Sequence, residues 1–415
     1  MSSPATGHWV ATWTAAPQRT EPDNMPPPPF TRGGLVLADS TLRQTVRVSV
    51  GGRRIRLRFS NAYGGTDLVI TQVRVALPGG GRAGAASIVA GTSRAAAFRG
   101  RPFAVIPAGA QVVSDPLDFP LGTGANVTVT VYLADGQDAS GGITSHPGSR
   151  TTSWLLAGNH LDDSERTPVT PVDHWYFLSG VEVWLGAASA AVVMLGDSLT
   201  DGRGSTTNGN DRLPDQLFAR LRGRPQRRPR SRPPSRIAVL NQGLGGNRVL
   251  RDGLGPSALA RFDRDVPAVS GVRWLVVFEG VNDIGTADAA KAAQQQVAAD
   301  LVFAYEQIVA RAHAAGIRVY GATLTPFGGN EPYDDPDGHR EAARQAVNEW
   351  IRAGRGFDAV IDFDRAARDP RCPRRLRPVF DTGDHLHLNP AGYRALASAV
   401  PPGLFRRERL APGRR

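Results

Sequence analysis

A change of pattern near residue 189 constrains the fold more than any other feature of this 415-residue sequence. Before it, apolar and polar residues alternate in short stretches such as 126–133 (NVTVTVYL), with glycine- and proline-rich turns between them. After it, continuous apolar runs alternate with helix-like segments. Alternating short strands are typical of an antiparallel sandwich, whereas apolar strands alternating with helices indicate a parallel sheet covered on both faces. Two different kinds of domain are therefore predicted.

The predicted fold is α/β, with an N-terminal β-sandwich or jelly-roll-like domain followed by a three-layer α/β/α domain. The expected boundaries are 1–188 for the β-rich accessory domain, 189–405 for the second domain and 406–415 for a basic C-terminal tail. The second domain is predicted to hold a parallel sheet of about five strands: Ala191–Leu195, Ile237–Leu240, Trp274–Phe278, Val319–Leu324 and Ala359–Phe363. Helices are expected over 287–315, over 338–353 and from Pro390, where an asparagine precedes a proline at the first helical position.

The positive charge of the chain is concentrated in two short segments. The formal net charge is +11, but residues 220–236 hold eight arginines and no acid, and residues 401–415 add a further +4. The rest of the chain is close to neutral. Proteins that bind nucleic acids usually spread basic residues over a binding face, so no nucleic-acid partner is expected, and 220–236 is predicted to be a solvated insertion.

Several other classes are limited by composition. Cys372 is the single cysteine, so an intrachain disulfide is impossible and a cysteine-based zinc site is not expected. No run of 18 apolar residues occurs, so no membrane-spanning helix is predicted. The first residues, MSSPATGHWV, lack the basic start and apolar core of a secretory signal. The expected location is therefore extracellular if a signal has been removed, and cytoplasmic if the sequence is complete as given.

Four polar segments stand where a parallel sheet places its ligands, beyond the carboxyl ends of the strands. They are GDSL at 196–199, GLGGN at 243–247, GVND at 280–283 and DHLH at 384–387. A serine at a strand-to-helix turn is exposed, and the helix N-terminus favours developing negative charge beside it. An aspartate three residues before a histidine can orient the imidazole, and an oriented imidazole can activate a serine hydroxyl.

Together the four blocks resemble the SGNH hydrolases, the GDSL esterase/lipase family, over about half of the chain. The resemblance implies that Ser198 is the nucleophile, that His387 is the base and that Asp384 orients it. It implies an oxyanion hole made by the backbone N–H groups of Ser198 and Gly246 and by the side-chain amide of Asn282. It implies neither a cofactor nor a metal.

Two of these assignments have rivals in the sequence. Gly246 is preferred to Gly245 because the glycine of the family lies five residues after the asparagine that ends the strand, here Asn241. The usual DGxHP ending of the family reads DHLHLN in this chain, which adds His385 as a second candidate base. The three-residue spacing from the aspartate favours His387.

Simpler interpretations of the same residues remain open at this point. Ser198 could merely cap the following helix, and Asn282 with Asp283 could form a turn pair. The block at 384–387 pairs two histidines with a carboxylate and could bind a metal. A dinucleotide site is not expected, because the glycines after the first strand of the second domain do not follow the G-x-G-x-x-G pattern.

The predicted function is that of a serine esterase acting on a short acyl ester, such as an acetyl ester, through an acyl-enzyme intermediate. Residues 204–212 and 253–265 resemble the carbohydrate-ester branch of the family, so the partner expected is a small-molecule or carbohydrate ester. One alternative is an acyltransferase or a tailoring esterase of secondary metabolism with the same triad. Another is a non-catalytic glycan-binding protein whose β-domain tryptophans stack on sugars instead of lying in the core: Trp9, Trp13, Trp154, Trp175 and Trp184. The sequence gives no indication of oligomeric state.

Overall fold

The computed structural model describes residues 7–164, 170–223, 236–401 and 403–405. The N-terminal part consists of short strands and two 3₁₀ turns, Pro22–Asn24 and Gly79–Gly81. Its strands are β1 (Gly7–Thr14), β2 (Gln18–Arg19), β3 (Thr31–Arg32), β4 (Leu35–Val36), β5 (Ser40–Arg47), β6 (Gly52–Ser60), β7 (Leu68–Ile70), β8 (Gln72–Ala76), β9 (Arg94–Ala95), β10 (Ala104–Ile106), β11 (Gln111–Val113), β12 (Leu117–Leu121), β13 (Asn126–Leu133), β14 (Gln137–Asp138), β15 (Thr144–His146), β16 (Ser153–Ala157), β17 (Thr170–Val172), β18 (Trp175–Tyr176) and β19 (Leu178–Gly186).

Strands and helices alternate in the C-terminal part. They are β20 (Ala190–Gly196), α1 (Ser198–Asp201), α2 (Leu213–Arg222), β21 (Ile237–Gly243), α3 (Ala258–Asp265), β22 (Val272–Phe278), α4 (Val281–Thr286), α5 (Lys291–Ala314), β23 (Arg318–Ala322), α6 (His339–Arg352), β24 (Ala359–Ile361), α7 (Phe363–Ala367) and α8 (Pro390–Ala399).

Two antiparallel sheets form the frame of the N-terminal domain. One has the strand order β17-β16-β5-β13-β8-β9, and the other has the order β1-β19-β6-β11 with β12 also paired to β6. Valines of β13 and β19, including Val129 and Val183, are fully buried in a common core. The burial of these valines is what the alternating pattern of the sequence demands, and the predicted strand-rich domain is confirmed.

A parallel sheet of five strands, ordered β21-β20-β22-β23-β24, forms the centre of the C-terminal domain. Every residue of β20 is buried, which accounts for its continuous apolar run. At the carboxyl end of β20, Gly196 is in register with Gly243 of β21 and Phe278 of β22. The segments that follow these three strands therefore leave the sheet side by side, as predicted.

Element boundaries differ from the prediction where polar side chains interrupt the chain. The helix predicted over 287–315 is α5, which begins only at Lys291, because the Asp288 carboxylate accepts a hydrogen bond from the N–H of Ala290 just before the helix. The last strand stops at Ile361, because the Asp362 side chain caps α7. The prediction for both segments was too long for this reason.

The arginine-rich segment is only partly within the described residues. Residues 220–222 form the last turn of α2, whose Leu217 and Phe218 are buried, and the Arg220 guanidinium donates to the carbonyl of Val400 at 3.3 Å. The start of the segment is therefore helical, and its Arg220 and Arg222 are exposed to solvent. Residues 224–235 and the predicted tail 406–415 lie outside the described residues.

The two domains meet along β1 and the parallel sheet. Thr14 donates its hydroxyl hydrogen to the carbonyl of Asn241 at 3.0 Å, and the N–H of Ala11 donates to the carbonyl of Ser270 at 2.9 Å. The boundary predicted at 188 and 189 falls in the connection between β19 and β20 and remains a prediction. None of the helices in the described ranges is long and apolar enough to cross a membrane.

The five tryptophans of the β-domain do not share one environment. Trp13 and Trp175 are buried and meet edge to face with ring centroids 4.9 Å apart. Trp9 and Trp184 form a second edge-to-face pair, in which Trp184 is 38% exposed. Trp154 donates its indole N–H to the carbonyl of Gly84. Trp13 and Trp175 are thus core residues.

Candidate active site

The turn between β20 and α1 places Ser198 at the carboxyl end of the parallel sheet. Asp197 has an extended backbone and accepts a hydrogen bond from the N–H of Leu199 at 2.9 Å, so it caps the short helix that Ser198 begins. Gly196 allows the strand to end tightly, because a Cβ there would overlap Thr200 and the carbonyl oxygen of Phe278. Ser198 itself is only 5% exposed, so the expectation of an exposed serine at this turn is wrong.

A continuous chain of hydrogen bonds joins the three residues predicted as a triad. The hydroxyl oxygen of Ser198 lies 2.8 Å from Nε2 of His387, and Nδ1 of His387 lies 2.6 Å from Oδ2 of Asp384. The other carboxylate oxygen of Asp384 accepts from the N–H groups of His387 and Leu386 at 2.8 and 3.0 Å. The block DHLH therefore folds into one turn that holds the carboxylate under the imidazole.

The surroundings set the charge state of this pair. Burial is the largest influence on His387 and lowers its pKa below the usual 6.5, and the hydrogen bond and charge of Asp384 offset this only in part. Partial burial acts to raise the pKa of Asp384, but hydrogen bonds from the backbone and ring of His387 and from Leu386 hold it well below its ordinary value. At neutral pH, the site therefore combines a neutral imidazole with an ionised carboxylate.

His385, the rival base, has another partner. Its Nδ1 lies 2.6 Å from Oδ2 of Asp381, and its side chain is 49% exposed. The structure thus brings His387, and not His385, into contact with Ser198.

Within the described ranges, no three His, Cys, Asp or Glu side chains are grouped so that they could hold a metal ion.

The amide of Asn282, in the first turn of α4, is held at both ends. Its Nδ2 donates to the backbone carbonyl of Asn247 at 2.7 Å, and its Oδ1 accepts from the Tyr333 hydroxyl at 2.7 Å. One of the two amide N–H groups remains for a ligand. Gly246 precedes Asn247 with a φ of 67°, a conformation that favours glycine, and the Leu254 side chain lies against it.

Asp283 connects the second and third sequence blocks. Its carboxylate oxygens accept the N–H groups of Val249 and Leu250 at 2.8 and 3.0 Å. Burial raises the pKa of Asp283 to about 6, against these hydrogen bonds. In the GVND block, therefore, the asparagine reaches the loop that carries Gly246, and the aspartate holds the residues that follow that loop.

A buried cluster of ionisable side chains lies next to the carboxyl ends of β20 and β21. The Arg261 guanidinium donates to the carbonyls of Gly196 and Gln242 at 3.0 and 2.7 Å, which ties the ends of β20 and β21 together. Glu279 lies 3.6 Å from the same guanidinium and is fully buried. Burial raises the pKa of Glu279 to about 8 and that of Asp197 to about 7.

Sequence reasoning missed Tyr333 and Arg261. Arg261 lies in the stretch 253–265 but has no motif of its own. Tyr333 lies in an irregular segment between β23 and α6. One signal for Tyr333 exists in hindsight: Gly285 follows the GVND block within α4, and a Cβ there would overlap the Tyr333 ring.

A comparison of the sequence with models of protein families gives a match to the C-terminal part of the chain. The model of the GDSL-like lipase/acylhydrolase family matches residues 194–395. A search of the curated proteins returns no significant match.

Solved structures give weaker similarities. A proposed lipolytic protein of the G-D-S-L family from Desulfitobacterium hafniense is 17% identical, with a TM-score of 0.36 over 51% of this chain and 97% of that chain. The lipase/acylhydrolase from Enterococcus faecalis is 19% identical, with a TM-score of 0.35 over 51% of this chain and 92% of that chain. At such low TM-scores these similarities carry no weight, and the family assignment rests on the family model.

Proposed function

We propose that this chain, whose residues 194–395 form a domain of the GDSL-like lipase/acylhydrolase family, is a serine esterase that cleaves short-chain acyl esters through an acyl-enzyme. The family makes the chain an ester hydrolase. The observation that carries the finer proposal is the hydrogen-bonded chain from Ser198 through His387 to Asp384. A serine hydroxyl is a weak nucleophile until an oriented base can accept its proton. In this proposal, His387 is that base.

In the first half of the proposed reaction, the Ser198 oxygen attacks the ester carbonyl carbon while Nε2 of His387 takes the hydroxyl proton. The imidazolium that forms is stabilised by the Asp384 carboxylate 2.6 Å from its other nitrogen. His387 can accept this proton at neutral pH because burial keeps its pKa below the usual value.

The negative charge of the tetrahedral intermediate is proposed to rest on three donors. These are the backbone N–H groups of Ser198 and Gly246 and the free N–H of the Asn282 amide. His387 then gives its proton to the leaving alcohol as the carbon–oxygen bond breaks, which leaves an acyl group on Ser198. In the second half, His387 removes a proton from water, the water oxygen attacks the acyl carbon, and the acid leaves with Ser198 restored.

A small acyl group is proposed because the reacting side chains are almost fully covered. Ser198, His387 and Asn282 are 5%, 6% and 3% exposed. The alcohol is proposed to be a carbohydrate, on the resemblance of 204–212 and 253–265 to the carbohydrate-ester branch of the family. An acyltransferase would use the same residues, and an inert glycan-binding domain would have no need for an intact triad.

Hydrolysis of p-nitrophenyl acetate, butyrate and octanoate, with a chelator present, tests this proposal. We expect kcat/KM to fall from acetate to octanoate and expect Ser198→Ala to lose nearly all of the rate at every chain length. Equal rates for acetate and octanoate would contradict the short-chain proposal. Release of acetate from O-acetylated xylan oligomers, compared with aryl acetates, then tests the carbohydrate proposal.

A further inference from the structure

A side chain of the β-domain reaches the helix that carries Ser198. His146, the last residue of β15, is 4% exposed, and its Nε2 lies 2.9 Å from Oδ1 of Asp201. Asp201 is the last residue of α1, three positions after Ser198, and is 1% exposed. The contact joins two segments 55 residues apart, one in each predicted domain.

The imidazole of His146 is fixed on its other sides as well. Its Nδ1 lies 2.9 Å from the carbonyl oxygen of Ala16, and its ring stacks on Trp175 with centroids 5.6 Å apart. A carbonyl and a carboxylate are both acceptors, so both ring nitrogens face groups to which they can only donate. Both ring nitrogens of His146 are therefore held in place by neighbouring oxygen atoms.

The hydrogen bond with His146 stabilises the buried carboxylate of Asp201. Among the described residues, Oδ2 of Asp201 has no hydrogen-bond partner and lies against Gly148, where a Cβ would overlap it. Removing His146 would leave the buried Asp201 carboxylate without its side-chain hydrogen-bond partner. The end of α1 would then be expected to shift toward water.

A displacement of Asp201 is expected to displace Ser198 as well, because α1 has only four residues. The N–H groups of Gly202 and Arg203 both donate to the carbonyl of Ser198 at 2.9 Å, so the two residues that follow the helix are tied to the serine. At the other end of α1, Asp197 caps the helix through Leu199. The position of the serine hydroxyl therefore depends on both ends of this single turn.

We infer that the β-domain is part of the esterase active site, because its His146 positions Ser198 through Asp201. This inference rests on the proposed serine-esterase function. His146 touches neither Ser198 nor the other triad residues among the contacts of the described chain, so it is a positioning residue and not a catalytic one. The β-domain thereby has a role in the reaction apart from any binding of glycans.

The test compares three full-length variants in reaction with a fluorophosphonate, which phosphonylates an activated serine. His146→Ala is expected to label at least tenfold more slowly than the wild type, with KM for p-nitrophenyl acetate within twofold of it and kcat reduced in parallel. The final labelled fraction is expected to reach that of the wild type. A loss of folded protein would instead give the wild-type rate with a smaller labelled fraction.

Tyr63→Phe is the matched control. The Tyr63 hydroxyl accepts a hydrogen bond from Nη1 of Arg264 at 2.6 Å, so this variant also removes one polar contact between the domains. Arg264 belongs to α3, not to α1, so wild-type labelling and kcat are expected. His146→Gln keeps an N–H donor toward Asp201 and is expected to lie between His146→Ala and the wild type.

A labelling rate of His146→Ala equal to that of Tyr63→Phe would overturn the inference. If His146→Ala does not fold, His146→Gln takes its place, and a rate equal to that of Tyr63→Phe again overturns it. A wild type that is not labelled at Ser198 would contradict the proposed function instead. The two failures are therefore distinguishable in one experiment.

Discussion

The Tyr333 hydroxyl donates to Oδ1 of Asn282 across 2.7 Å and so fixes the direction of the amide proposed to bind the oxyanion. The other end of the same amide donates to the carbonyl of Asn247. An amide held at both ends presents its remaining N–H in one direction before the substrate arrives. Donors fixed in advance need no reorganisation when charge develops, which is how oxyanion holes lower the barrier.

Tyr333→Phe is therefore predicted to lower kcat for p-nitrophenyl acetate by about fivefold with little change in KM, because one hydrogen bond contributes about 1 kcal/mol. Steady-state kinetics measures this change. Tyr132→Phe is the control, since its hydroxyl bonds to Asp39 at an exposed position in the β-domain. Equal kcat values for the two variants would show that Tyr333 does not act on the oxyanion amide.

Asp384→Asn is predicted to lower kcat/KM by roughly 10³- to 10⁴-fold at pH 8, as expected when a triad carboxylate is made neutral. The asparagine amide cannot stabilise the imidazolium and can hold His387 in the wrong tautomer. Kinetics with p-nitrophenyl acetate at high enzyme concentration checks the residual rate. A loss of less than tenfold would mean that the carboxylate only holds the loop.

His385→Ala is predicted to keep kcat/KM within about twofold of the wild type, as is usual for exposed residues away from the chemistry. Its imidazole is half exposed and pairs with Asp381. The same assay on His387→Ala should show nearly complete loss. If the two losses were exchanged, the base would be His385.

The pH dependence of kcat/KM should report His387. The imidazole must be neutral to accept a proton, so activity rises as pH rises through its pKa, which burial lowers from 6.5. The midpoint of the acid limb is therefore predicted below pH 6.5. A pH-rate profile with an ester that is stable in acid measures it, and a midpoint above 6.5 would contradict the burial of a neutral base.

Glu279 is predicted to make the fold less stable as pH rises. Burial raises its pKa from 4.5 to about 8, against the attraction of Arg261, and the charges of Asp197 and Asp283 act with burial. The unfolded chain ionises this carboxyl above pH 4.5 while the folded chain keeps it protonated. Its contribution to stability is full below pH 4.5 and is lost as pH rises toward about 8.

Glu279→Gln removes this dependence. The unfolding free energy of the variant relative to the wild type should increase between those pH values, with a slope of at most about 1.4 kcal/mol per pH unit. Urea unfolding at several pH values measures it, and Glu306→Gln, at an exposed position of α5, is the control. Parallel pH profiles for wild type and Glu279→Gln would show that Glu279 is ionised in the folded chain.

Much of the site could be predicted because its residues follow strands of one parallel sheet. Ser198 and Asn282 belong to different blocks, but β20 and β22 are neighbours in the sheet, so their ends had to meet. His387 could be placed from its spacing to Asp384 and from the helix that follows. Local pattern and sheet topology were enough for these residues.

The remaining residues depend on packing that no local pattern encodes. Tyr333 reaches Asn282 from a segment without regular structure, 51 residues further along the chain. His146 reaches Asp201 across the contact between the two domains, and the alternating pattern of one domain says nothing about how it docks on the other. Arg261 lies in a helix that was not predicted.

The identity of the nucleophile is tested most directly by intact-mass and peptide mass spectrometry after reaction with diisopropyl fluorophosphate. We predict one diisopropylphosphoryl group per chain, located on Ser198, absent from Ser198→Ala and formed far more slowly in His387→Ala. An adduct on another residue, or equal labelling of Ser198→Ala, would contradict the proposed mechanism.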